Sequence, residues 1–145
     1  MELITDKLIA DQLINRINLL QQDTKPQWGK MNVYQMLKHL TMWEEMAMNK
    51  TLYKQAFLGR LIGKFALKDM LKEGPLKQSM PTVPSFKMSG DGDIGPEKSK
   101  LIDLIKAHID YPKGFLHPFF GKLTAEEASR MAYKHADHHL HQFGV

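Results

Sequence analysis

Apolar residues recur three and four positions apart in four separate stretches of this chain, and that spacing leaves few folds other than a packed set of helices. In the first stretch Ile4, Leu8, Ile9, Leu13, Ile14, Ile17, Leu19 and Leu20 predict a helix from Ile4 to about Gln22, with no internal Gly or Pro. The segment DTKPQWGK then interrupts the pattern with Pro26 and Gly29 and leaves Trp28 as an anchor in a loop. A second helix begins after Asn32, an N-cap residue with Gln35 in capping-box position, and Met31 and Met36 have the spacing of a hydrophobic staple. It runs to about Asn49 and turns Val33, Met36, Leu37, Leu40, Trp43 and Ala47 inward. Pro96 fits the first turn of a third core helix that carries Leu101, Ile102, Leu104, Ile105 and Ile109 to about Asp110. A second capping box, Thr124 with Glu127, opens a final helix from Ala125 to about Phe143.

Four long helices with almost no strand signal predict an all-α helical bundle. The 145 residues show no repeat and no composition break, so one domain spanning residues 1–145 is expected. Residues 50–95 are the least regular part. A further amphipathic helix is expected from about Phe57 to Lys72, with Phe57, Leu58, Leu61, Ile62 and Phe65 as its inner face, although Gly59 and Gly63 weaken it. After it, GPLKQSMPTVPSFKMSGDGDIGP carries four prolines and reads as a long crossing loop, a lid or a strap.

Charge narrows the partner classes. The net charge is +4, and residues 50–88 hold eight Lys or Arg against Asp69 and Glu73. Arg60, Lys64, Lys68 and Lys72 repeat every four residues and would form one stripe on a helix. With the apolar residues turned inward, that stripe is the solvated side of the helix, preferred over a nucleic-acid or anionic-lipid footprint. No apolar run approaches the roughly 20 residues needed to span a bilayer, and Met1 leads into Glu2 and Asp6 rather than a signal peptide. The expected location is the cytoplasm. With no cysteine, a metal site must use nitrogen or oxygen ligands.

Four of the seven histidines lie within the last thirteen residues. On a helical projection Ala128, Met131, Ala132, Ala136, Leu140 and Phe143 form an apolar arc, and His135 and His139 fall inside it. His138 lies on its flank, and Asp137 and His141 point away. Two imidazoles at i and i+4 share a face and can reach one metal ion. The competing reading is a pair of hydrogen-bonded core histidines. Inward imidazoles need partners that a helical core seldom supplies, whereas a divalent cation accepts both lone pairs. A third ligand would come from a neighbouring helix, where His39, on the shoulder of the second helix beside Trp43, is the best placed. His108 is its structural rival, and His117, followed by Pro118, is expected to pin its turn by hydrogen bonding.

The motifs WGKMNVYQMLKHL, HPFFGKLTAEE and a terminal HxxxH with a further His inside it resemble the DinB-like superfamily of metal-binding four-helix bundles, and within it a branch with W-G-K-M and H-P-F-F-G-K-L-T signatures. The similarity covers nearly the whole chain. It implies a long connection between the second and third core helices and a metal triad of His39, His135 and His139. Three neutral imidazoles would leave open positions on zinc, nickel or iron, and the resemblance, from relatives that use low-molecular-weight thiols, implies a thiol-dependent S-transferase-like enzyme. A homodimer is plausible by the same resemblance. A metal-dependent hydrolase and a non-enzymatic bundle stabilised by its ion are the alternatives. No general acid or base is assigned: Glu44, within the apolar arc of the second helix, is taken as a solvent-reaching carboxylate, and His117 and His138 as structural histidines.

Overall fold

Asp6 starts the first helix. Its carboxylate accepts hydrogen bonds from the backbone N–H groups of Leu8 (2.9 Å) and Ile9 (3.4 Å), satisfying donors that a helix N-terminus otherwise leaves open. Such local decisions set each element of the computed structural model, which describes residues 2–80, 86–110 and 112–145. The order is α1 (Lys7–Leu19), α2 (Val33–Ala47), α3 (Phe57–Met70), α4 (Ile94–Asp110), β1 (Leu116–His117), β2 (Gly121–Lys122) and α5 (Ala125–Gln142). Both capping boxes are formed, Asn32 with Gln35 and Thr124 with Glu127. The first helix is shorter than its apolar pattern because Asp6 fixes its start and the chain turns extended at Leu20. Ile4 and Leu20, outside the helix, are buried all the same.

The protein is mostly helical. α1, α2, α4 and α5 pack around a shared core, α1 and α2 each touching both α4 and α5. The inward arcs of α2 and α5 are buried as their spacing requires, among them Met36, Leu37, Met131 and Leu140. Among the described residues, no helix is long and apolar enough to cross a membrane.

The connection after Gly74 is described on either side of one gap. Residues 81–85, with Pro81 and Pro84, lie outside the described residues. Beyond them Phe86 is buried, and the Gly90 carbonyl accepts from the side chains of Gln35 (2.8 Å) and Asn32 (3.3 Å). Gln22 then bonds the Gly92 carbonyl and the Ile94 N–H. This half of the connection is a strap across the start of α2.

Three expectations are corrected. First, Glu44 does not reach solvent: it is buried on α2, and its carboxylate meets His108 Nδ1 of α4 at 2.8 Å. Second, a short antiparallel hairpin interrupts the helical pattern, with Leu116 opposite Lys122 and His117 opposite Gly121. Two-residue strands are too short to show alternation in a sequence. His117 pins the hairpin turn as expected, its Nδ1 accepting the backbone N–H groups of Phe119 and Phe120, each at 3.1 Å.

Third, α3 lies the other way up. Its buried residues are Gly59, Gly63 and Leu67, while Phe57, Leu58, Leu61, Ile62 and Phe65 are exposed. The glycines let α3 press against the hairpin, and a Cβ on either would overlap the Phe119 carbonyl oxygen. The Ala56 N–H donates to the Pro118 carbonyl at 2.8 Å, fastening the start of the helix to the same turn. Gly63→Ala should therefore destabilise the fold by about 1–3 kcal/mol through overpacking, more than the roughly 1 kcal/mol that alanine's helix propensity contributes. Urea denaturation checks this, and a net gain in stability would contradict the packing described.

Candidate metal centre

Two helices supply the three imidazoles. α2 places His39 opposite the face of α5 on which His135 and His139 stand one turn apart. The rings form a nearly equilateral triangle, with centroids 4.8 Å apart for His39 and His135, 5.0 Å for His39 and His139, and 4.8 Å for His135 and His139. One ring nitrogen from each lies within 4.8 Å of the other two. The sequence-derived triad is thus brought together. His108, the rival, is not part of it and pairs with Glu44.

Hydrogen-bond partners determine which nitrogen of each ring is free. His39 Nδ1 lies 3.2 Å from the Phe86 carbonyl oxygen. A carbonyl only accepts, so Nδ1 carries the proton and Nε2 keeps its lone pair. His139 is held likewise: Gln142 Nε2 donates to the Trp28 carbonyl at 2.7 Å, which turns Gln142 Oε1 toward His139 Nδ1 at 2.8 Å. His139 Nδ1 donates to that oxygen, and its Nε2 is free. Carbonyl partners on the far nitrogen are the usual way a protein orients histidine ligands and raises their basicity.

His135 differs. The residue is part-buried, its Nδ1 is buried without a partner, and its Nε2 approaches His39 Nε2 to 2.9 Å. Two lone pairs at that separation repel unless a positive centre lies between them: a proton carried by His135, or a metal cation. A tetrahedral zinc ion with bonds of about 2.0 Å spaces its ligand nitrogens by about 3.3 Å, which small side-chain rotations reach from here. The donor set, all neutral imidazole, suits zinc, nickel or iron and leaves coordination positions open.

Burial lowers the pKa of His39, with the Phe86 carbonyl opposing it. Burial, and then the neighbouring His39, lowers His139 to about 3. His135 is held well below 6.5 by burial and then by His139, His39, His138 and His117 around it. His117 is pushed by burial to about 3. All these rings are neutral near pH 7, the state in which imidazole binds a metal.

The surrounding rings complete the picture. Trp43 packs 5.2 Å from His135 and 5.1 Å from His117, whose ring stacks on Phe120 at 4.4 Å. His138 packs edge-on against Trp28 at 5.8 Å. His141 is exposed, pointing away as expected, and Asp137 bonds Arg16 of α1 at 2.7 Å. Sequence reasoning missed Gln142 and the Phe86 carbonyl. Gln142 stands three residues after His139 on the same face, a spacing that would have found it; the Phe86 carbonyl, far along a loop, left no signal.

A pH dependence follows. The unfolded histidines titrate near 6.5, and those with lowered pKa in the fold stay neutral below it. Below that pH the unfolded state binds more protons, so stability is lost as pH falls from 6.5 toward about 3. His117 and His139 should each contribute about 1.4 kcal/mol of loss per pH unit in that window. Chemical denaturation of chelator-treated protein between pH 7.5 and about 5.5 measures it; unchanged stability would contradict the burial of these rings.

Searches of curated proteins and of solved structures return no match. Residues 2–144, nearly the whole chain, match the model of a family described as "Protein of unknown function (DUF1569)". The chain belongs to the DUF1569 family.

Proposed function

We propose that this chain is a DinB-like four-helix-bundle metalloenzyme that holds one divalent cation on His39, His135 and His139 and acts on a low-molecular-weight thiol in an S-transfer reaction. The observation that carries the metal reading is the pair of carbonyl-fixed tautomers: Phe86 and Gln142 leave the Nε2 lone pairs of His39 and His139 free within a cluster whose third member is His135. When bound, the ion supplies Lewis acidity and lowers the pKa of a coordinated thiol or water.

The chain's own residues set the rest. Burial keeps the three rings neutral, so they present lone pairs without a proton having to leave. With no cysteine, the thiol is a diffusible cosubstrate. Glu44, the buried carboxylate of α2, faces His108 rather than the triad, so this acid is engaged elsewhere. With no protein base at hand the nucleophile must be generated by the ion, which deprotonates a coordinated thiol outright but brings a coordinated water only to about neutrality; that favours a thiolate over hydrolysis. The strap that carries the Phe86 carbonyl lies beside His39 and excludes water from the Nδ1 side of that ring.

Elemental analysis of protein purified without a histidine tag should find about one equivalent of zinc, nickel or iron. His39→Ala and His139→Ala should lose it, and His108→Ala should retain it. Gln142→Ala should weaken metal affinity by about 10–100-fold while leaving all three ligands in place. Metal retained by the triad variants would contradict the site. Metal-dependent consumption of a small thiol in the presence of an electrophile tests the reaction; its absence in fully loaded protein would contradict the transferase reading alone.

A further inference from the structure

The outward face of α3 is apolar by construction. Phe57 and Phe65 are 76% and 78% exposed, and Leu58, Leu61 and Ile62 lie beside them on the same side of the helix. Leu52, just before the helix, is exposed as well. Rotating α3 to bury these side chains would drive them into the hairpin, where the Phe119 carbonyl leaves no room even for a Cβ at Gly59 or Gly63. Arg130 of α5 holds the other end of the helix by donating to the Leu71 carbonyl at 2.8 Å. The stripe therefore faces outward in the packed fold, and a contiguous exposed patch of this kind marks a binding surface.

Cations rim the stripe. At 100° per residue, Arg60 and Lys64 run along one edge and Lys68 closes the C-terminal end, with Lys72 just beyond the helix. Lys54 is exposed just before the helix. Lys64 bonds the Lys122 carbonyl and stands 3.9 Å from Glu127, and Lys72 pairs with Asp69 at 2.6 Å. Arg60, Lys68 and Lys54 have no ion pair among the described residues. A second copy docked antiparallel, face to face, would set these cations against their equivalents, whereas an anionic surface neutralises them.

We infer that α3 is a peripheral membrane-docking helix that lays Phe57, Leu61 and Phe65 into an anionic lipid surface, with Arg60 and Lys68 at the headgroups. Apolar burial and electrostatic attraction act together in such helices, and neither alone gives lasting attachment. The helix lies on the bilayer and does not cross it. This surface is independent of the three-histidine site.

Sedimentation with vesicles tests it, using full-length protein in about 0.15 M salt. Wild-type protein should pellet with phosphatidylcholine vesicles containing about 30% phosphatidylglycerol and should stay in solution with phosphatidylcholine alone. The double variants Phe57→Ser/Phe65→Ser and Arg60→Glu/Lys68→Glu should each lower partitioning about tenfold or more. Both alter exposed side chains, so their circular dichroism should match the wild type. Wild-type protein that ignores anionic vesicles would overturn the inference. So would variants that fold and still bind, or a wild-type dimer that Phe65→Ser dissociates, which would assign the stripe to a second copy.

Discussion

Taking imidazoles out of water is the constraint around which the helical core is arranged. Each ring carries one donor and one acceptor, and helical backbone around it has few groups to spare. The fold answers this for two of the three. A carbonyl from the strap takes the Nδ1 proton of His39, and Gln142, itself held by the Trp28 carbonyl, takes that of His139. Both bonds leave Nε2 free, and that of His39 meets the third ring. A core histidine needed only for packing could place its proton on either nitrogen, whereas here the partners choose the same one twice. The close approach of His39 and His135 then needs a proton on His135 Nε2 or a cation between the two rings.

The strap and the loop before α2 matter for the same reason. Neither contributes a ligand, yet each presents one carbonyl that orients one. The capping box at Asn32 ties this together: Gln35 bonds the cap and also the Gly90 carbonyl, so the start of α2 and the path of the strap are set by one side chain. His117 and Trp43 fill the other side, and the hairpin turn that His117 pins is the surface against which α3 packs. The site and the α3 platform thus share an aromatic wall.

The elements easiest to see in the sequence were those whose signal is local. Two capping boxes and four apolar periodicities place α1, α2, α4 and α5 to within a few residues. His135 and His139 could be paired because one turn of one helix separates them. His39 needed a judgement about which helix lies opposite, supported by a resemblance. Three features depend on partners far along the chain and were misjudged or missed. Glu44 sat inside an apolar arc but was assigned to solvent because nothing in one sequence places His108 across from it. Phe86 orients His39 through a backbone group that its side chain does not advertise. α3 was turned over because its phenylalanines and leucines were assumed to face inward, when close packing against a backbone carbonyl demanded glycine on that face instead.

The central claim is that one cation is shared by three imidazoles through nitrogens their neighbours leave free. Diffraction data from metal-loaded crystals, collected on both sides of the metal's absorption edge, test it most directly. The account predicts a single anomalous peak at about 2.0–2.2 Å from Nε2 of His39, His135 and His139, with Nδ1 of His39 and His139 still bonded to their oxygens. A peak elsewhere, or coordination through Nδ1 with the Phe86 and Gln142 contacts broken, would contradict it.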